Sequence, residues 1–119
     1  MMAYHEFVVP TGEEILDALG VEPEESVEDP MVRIIPVLSS TGDTLVISFD
    51  VAGRSVRCQW VRGSVLILDL FREAATRLTV DSGNGNAWIR VCFETDSLAG
   101  ELEVQVHPEI RVNDRLLIR

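Results

Sequence analysis

The dipeptide Asn84-Gly85 constrains the fold more than any other feature, because apolar and polar residues alternate on both sides of it. A two-residue hairpin loop needs positive φ at both central positions, which Asn and Gly adopt most readily. With these two residues as the loop, Val80 faces Ile89, and Leu78 faces Val91 two positions further on. A slip of one residue would move these apolar side chains to the polar face, so the pattern predicts a hairpin with a fixed register.

The following residues predict a second hairpin. A turn over Thr95–Gly100 would place Phe93 opposite Leu102, and the same register would place Trp88 directly opposite His107. Earlier parts of the chain alternate in the same way. The sequence therefore predicts a mainly β fold, an antiparallel meander of seven to nine strands curled into a barrel or half-barrel.

The other strand boundaries are less sharply defined. We expect strands at Met31–Ser39, Thr44–Val51, Arg54–Val61 and Ser64–Phe71, and a small final hairpin or two short pieces over 109–118. The stretch Ser64–Val80 also fits a helical period. We favour strand–turn–strand there, which turns Val65, Ile67 and Phe71 inward and leaves Asp69 facing the core.

The N-terminal part predicts one short amphipathic helix, Thr11–Leu19. Thr11 can cap it, Glu14 completes a capping box, and Gly20 supplies the stop. The following ten residues, Val21–Pro30, hold two prolines and five acids, so we expect an exposed, mobile loop or linker. We thus predict an acidic N-terminal segment, 1–30, with helix 11–19 and linker 21–30, followed by one antiparallel β domain, 31–119.

Charge limits the partners that the chain can have. The formal net charge is −10, from 20 acids and 10 basic residues that are all Arg. Nine of the acids and none of the Arg lie in residues 1–30. Such a field repels phosphate, so no nucleic-acid partner is predicted, and a basic protein is the complementary one. Five acids of the linker are the first candidate partner-binding residues: Glu22, Glu24, Glu25, Glu28 and Asp29. The alternative is that the acids only keep the protein soluble.

Four further observations concern location. No apolar run approaches the ~20 residues that span a bilayer, and Met1–Pro10 lacks the features of a signal peptide. The two cysteines, Cys58 and Cys92, fit reduced thiols in strands. Basic residues that are all Arg are typical of a GC-rich bacterial genome. We therefore expect a cytoplasmic bacterial protein that has no membrane partner.

Two other surfaces are candidate partner-binding sites. Trp88, Arg90 and His107 share the predicted outer face of the last long hairpin, and Trp and Arg are frequent in interface hot spots. Leu66 and Leu68 belong to an apolar outer strip that either the helix or a partner must cover, and a second copy in a homodimer is one such partner. The strip consists of Ile35, Val37, Val46, Val61, Leu66, Leu68 and Leu70.

Catalysis is the least supported class of function. Cys92 and His107 would lie on adjacent strands but too far apart for a nucleophile pair. His5 and His107 fit no zinc spacing, and the sequence holds no phosphate loop or nucleophile elbow, so we predict no cofactor and no metal. The leading hypothesis is a non-enzymatic protein-binding domain, in its sharpest form an immunity-type inhibitor of a basic toxin. The alternative is a β-barrel that binds a small apolar ligand in an internal cavity.

Overall fold

The computed structural model describes residues 6–39 and 41–118, and predictions that rest on Met1–His5, Ser40 or Arg119 lie outside these residues. Within them the chain forms one helix and nine strands, which make a five-stranded first sheet, β1-β2-β3-β4-β5, and a four-stranded second sheet, β6-β7-β8-β9. All strand pairs are antiparallel. The elements are α1 (Gly12–Leu19), β1 (Glu24–Glu25), β2 (Val32–Leu38), β3 (Asp43–Asp50), β4 (Ser55–Arg62), β5 (Val65–Arg72), β6 (Ala75–Gly83), β7 (Asn86–Glu94), β8 (Leu98–His107) and β9 (Arg111–Ile118).

The hairpin at Asn84-Gly85 is confirmed. Both residues have positive φ, 54° and 78°, as a two-residue loop of this kind requires. Val80 pairs with Ile89 and Leu78 with Val91. Ile89 and Val91 are fully buried, so the hairpin presents its apolar side to the core.

The second hairpin forms with a register two residues away from the predicted one. Phe93 lies opposite Gly100 rather than Leu102, because the loop is tighter than Thr95–Gly100. The Thr95 N–H donates to the Leu98 carbonyl at 2.8 Å, and the Leu98 N–H donates to the Thr95 hydroxyl at 3.0 Å. Since side chains alternate with a period of two, this shift keeps every inward-facing residue of β8 on the core side.

The mainly β, antiparallel meander is confirmed within each sheet, where consecutive strands pair, but it is not continuous, because β5 and β6 belong to different sheets. Strand–turn–strand over Ser64–Val80 is confirmed against a helix, but Glu73 and Ala74 carry the chain from the first sheet to the second. The Ala75 N–H donates to the Arg54 carbonyl at 3.0 Å, which fixes this crossing beside the β3–β4 turn. The sheets do not close into a barrel, and their inner faces form one buried cluster instead. Side chains therefore fill the interior in which the alternative hypothesis places an apolar ligand.

The predicted inner face of β5 is also wrong. Leu68 and Leu70 pack against the core, whereas Val65, Ile67 and Phe71 are exposed. A register shift at Trp60/Val61 accompanies this arrangement. Asp69 consequently points outward, where its carboxylate pairs with the Arg57 guanidinium at 2.8 Å. A carboxylate in the core would have to be desolvated without a partner, so the observed face is the favourable one.

The apolar outer strip exists only in part. Ile35 and Val37 are buried in the core, since they pair with the inward-facing Ile47 and Leu45 of β3. Leu68 and Leu70 also pack against the core, so these four residues do not belong to the predicted outer strip.

Two ends of the β structure differ from simple strands. Pro36 pairs with Val46 of β3, but it lies beyond Ile34, the last β2 residue that β1 reaches, so the other side of β2 is an open sheet edge at Pro36. At the other end, both alternatives predicted for 109–118, a small hairpin or two short pieces, are wrong. Arg111–Ile118 is one continuous strand that pairs with β8 along its whole length.

The helix begins and ends as predicted. Thr11 and Glu14 form a reciprocal capping box, and Gly20 ends the helix with φ 71°. Ile15 is buried in the core, and α1 lies against β6 and β7. Just before the helix, Val8 forms a parallel bridge with Arg77, and Phe7 packs edge-to-face on Phe49 with ring centroids 6.4 Å apart. The N-terminal part is thus anchored to both sheets.

Candidate functional site

The five candidate acids of 21–30 are all exposed and line one edge of the first sheet. We call them the acidic edge: Glu22, Glu24, Glu25, Glu28 and Asp29. Glu24 and Glu25 form β1, opposite Ile34 and Arg33 of β2. The chain returns to β2 through a turn in which the Asp29 carboxylate accepts from the Met31 N–H at 2.9 Å. This segment, predicted to be a loop or linker, is therefore attached to the sheet by backbone pairing.

The acids of the N-terminal third have no basic partner among the described residues, whereas six of the eleven later acids are in ion pairs. Among the described residues six Arg side chains form ion pairs, all with acids at position 43 or later. The pairs are Arg57–Asp69, Arg62–Asp43, Arg72–Asp114, Arg90–Glu103, Arg111–Glu109 and Arg115–Glu101. The nine acids between Glu6 and Asp29 have no ion pair within the described chain. The negative field of the protein is thus concentrated at α1 and the acidic edge.

Trp88 and Arg90 lie together on the outer face of the second sheet, but His107 is not opposite Trp88. The Arg90 guanidinium lies 5.4 Å from the centroid of the Trp88 ring and donates to Glu103 at 2.8 Å. Trp88 faces Gln105 because the whole hairpin lies two residues from the predicted register, and His107 pairs with Ala87 because the register shifts again between Ala87 and Trp88. The structure thus brings together two of the three predicted residues of this surface.

The Cys–His pair is further apart than the sequence indicated. Cys92 is five positions along β7 from Ala87, the partner of His107, which corresponds to about 17 Å. Both cysteines are free thiols. Burial raises the pKa of the Cys58 thiol to about 11, so this thiol stays protonated at neutral pH.

Leu66 and Leu68 do not form a shared surface. Leu66 is exposed opposite Val61, whereas Leu68 packs against the core opposite Trp60. The apolar side chains that remain exposed on this edge strand are Val65, Leu66, Ile67 and Phe71.

One polar cluster has no counterpart among the sequence predictions. Asp43 is buried and accepts hydrogen bonds from the Arg62 guanidinium at 3.1 Å and the Trp60 indole at 2.9 Å. The Arg62 hydrogen bond, followed by that from Trp60, holds the pKa of the Asp43 carboxyl below its usual value. The three residues are up to 19 positions apart in the sequence and meet only through strand pairing. No local sequence pattern therefore predicts this cluster.

A groove of about 410 Å³ lies next to the acidic edge, and sequence reasoning missed it too. Its walls come from three separate stretches: the residues around the start of α1, the turn that leads into β2, and the end of β3.

Among the described residues, no group of three His, Cys, Asp or Glu side chains is placed to hold a metal ion. Within the same residues, no helix is both long and apolar enough to cross a membrane.

A comparison with solved structures finds the same fold in another protein. The chain superposes with a TM-score of 0.82 on a chain of the "Contact-dependent growth inhibition toxin - immunity protein complex from Klebsiella pneumoniae 342". The superposition covers 96% of this chain and 100% of the other, with 16% sequence identity. No protein-family model and no curated protein sequence matches the chain. At this identity the likeness shows a shared fold.

Proposed function

We propose that this chain is the immunity component of a toxin–immunity pair, a small acidic protein that binds a toxic protein and neutralises it without catalysis. The observation that carries the proposal is the shared fold, which extends over 96% of this chain and all of a chain from a toxin–immunity complex. Because the likeness extends over nearly the whole of both chains, it supports a similar role for the whole protein, which a single shared motif would not do.

The charge and the placement of reactive groups favour the inhibitor over the toxin of such a pair. A catalytic toxin needs a nucleophile or general base beside an orienting group. In this chain Cys92 and His107 lie about 17 Å apart, and the Cys58 thiol is buried with a raised pKa. An inhibitor needs only a complementary surface, which the unpaired acids of the N-terminal third can supply.

The partner that we infer has a basic surface. Net charge −10 attracts a basic protein over several ångströms of solvent and repels phosphate groups of nucleic acids and anionic lipids. The acidic edge is the leading contact region, and the outer-face pair Trp88 and Arg90 is the second. In this proposal the chain acts in the bacterial cytoplasm, where a toxin that enters or is made in the cell meets it.

A growth experiment tests this proposal. The protein encoded next to this chain is produced from an inducible promoter in a laboratory bacterium, with and without this chain. We expect growth arrest when the neighbour is produced alone, normal growth when both are produced, and no effect of this chain by itself. The matched control is Ile89→Asp, which places an unpaired charge at a fully buried position, unfolds the domain and should abolish rescue.

Three results would count against the proposal. Growth arrest by this chain alone would make it the toxin of the pair. A neighbour that arrests growth equally with and without this chain would remove the inhibitor function. A neighbour that never slows growth would leave no toxin for the chain to neutralise.

A further inference from the structure

The groove beside helix α1 has apolar walls and a solvent-facing mouth. Val9, Pro10 and Ile15 form one wall, and Met31, Phe49 and Val51 form the other. Its volume, about 410 Å³, falls in the range of roughly 300–1,000 Å³ that is usual for binding pockets. Within these walls Ile15 and Phe49 are buried, whereas Met31 is 52% exposed at the mouth. The groove can therefore receive a large apolar side chain without rearrangement of the core.

Acids surround this apolar groove on both sides. On the helix side, Glu13 follows Gly12, and Pro23 packs against Gly12, 3.5 Å from where a Cβ would stand. This contact brings Glu22 and Glu24 of the acidic edge towards the start of the helix. On the β2 side, Glu28 and Asp29 directly precede the lining residues Pro30 and Met31.

One basic residue also lines the groove. Arg33 has no ion pair within the described chain, and it lies opposite Glu25 in the strand register. A single guanidinium among the surrounding carboxylates leaves the rim negative. The groove thus has the anatomy of a protein interface, an apolar centre enclosed by a charged rim.

We propose that this groove is the anchor site for the toxin, and that the toxin inserts one large apolar side chain which is surrounded on its own surface by Lys or Arg. The inference rests on the proposed function and names the surface that carries it out. Insertion would exclude water from the apolar walls, as occurs at interface hot spots. The acidic rim would steer the encounter and set the orientation of the toxin.

The exposed apolar surface of the edge strand β5 lacks this charge complementarity. The strand exposes Leu66, Ile67 and Phe71, but its own charged residues are already paired. Asp69 is paired with Arg57, and Arg72 with Asp114. A basic surface gains little electrostatic attraction there, so a basic partner would select the groove over this strand.

A charge-adding substitution separates the groove from simple charge attraction. Met31→Asp adds a negative charge to the rim and removes an apolar side chain at the mouth. If charge alone drove binding, the variant would bind the toxin at least as fast and as tightly as the wild type. If the apolar anchor is needed, we expect the complex to dissociate about tenfold faster or more, with a much smaller change in the association rate.

The matched control lies at the far end of the same strand. Leu38, the last residue of β2, is 76% exposed and lies seven residues, or about 23 Å, from Met31, so Leu38→Asp makes the same chemical change outside the groove. We expect its rates to stay within about twofold of the wild type. Both positions are exposed, so both variants should melt within a few degrees of the wild type, which excludes unfolding as the cause.

A second measurement reports on the groove directly. Met31 is one of three methionines, and the other two are Met1 and Met2. In protein labelled at the methionine methyl groups, Met31→Leu assigns its NMR signal. One equivalent of the toxin encoded next to the chain should shift that signal. The inference is overturned if the signal stays in place in a saturated complex, or if Met31→Asp binds like the wild type. A wild-type chain that binds no toxin would instead overturn the proposed function, on which the groove depends.

Discussion

The substitution Ile15→Ala tests how helix α1 is held in place. An isolated helix of eight residues is marginal in water, so α1 depends on packing against the sheets. Ile15 is the buried residue of the helix, with 1% of its side chain exposed. The change removes three carbon atoms, which at ~0.8 kcal/mol each is about 2.4 kcal/mol before any cavity is counted. With the cavity, the expected loss is about 2–5 kcal/mol, a large part of a typical domain's stability.

Urea unfolding and thermal melting measure this loss. For a chain of this length, we expect a decrease of roughly 10 °C in Tm and an unchanged urea m-value. Leu16→Ala is the matched control, because the adjacent Leu16 is 44% exposed and its loss should change stability by less than ~1 kcal/mol. Equal effects of the two substitutions would show that Ile15 does not anchor the helix, and the groove that Ile15 helps to line would lose its structural basis.

Two further predictions concern charge. The folded-state pKa of Asp43 is lowered by its hydrogen bonds from Arg62 and Trp60, so its contribution to stability is fully present above the unfolded pKa of ~3.9 and is lost as the pH falls through the lower folded value. Acid titration of the free energy of unfolding should therefore fall more steeply below about pH 4 for the wild type than for Asp43→Asn, and parallel curves would contradict this account. Replacement of all five acids of the acidic edge by Gln or Asn should slow association with the toxin about tenfold or more at low salt, with little change in dissociation or in Tm. An association rate that responds to neither these substitutions nor added salt would make the acidic edge a solubilising segment.

The sequence predicted the parts of the fold that local chemistry determines. The Asn84-Gly85 loop and the α1 caps each depend on residues within a few positions of one another, and both form as expected. The second hairpin shows where this stops. A two-residue shift leaves every side chain on the same face, so alternation alone cannot distinguish Phe93 opposite Gly100 from Phe93 opposite Leu102.

Long-range arrangement was the part that the sequence could not supply. An apolar strand such as β5 carries Leu or Ile at both parities, so alternation did not reveal that Leu68 and Leu70 face inward and Phe71 outward. Likewise, no pattern indicates that β6 begins a second sheet, which depends on the crossing at Glu73 and Ala74.

The same limit applies to the candidate surfaces. The five acids of the acidic edge are exposed, as their composition indicates. The sequence could not show that these acids lie next to a groove. The groove forms only in the folded chain, because its lining residues Ile15, Met31 and Phe49 come from three distant stretches. Leu66 and Leu68, which we predicted to share one outer face, also differ in the structure: Leu66 is exposed, whereas Leu68 packs against the core.

Isothermal titration of the purified chain into the purified protein encoded next to it tests the central claim most directly. We expect a one-to-one complex with a Kd of about 10 nM or below, which corresponds to a binding free energy of about −11 kcal/mol, and a Kd that rises with salt. A folded, active toxin that gives no binding heat at two temperatures, and no complex by size-exclusion chromatography, would contradict the proposal that this chain is its inhibitor.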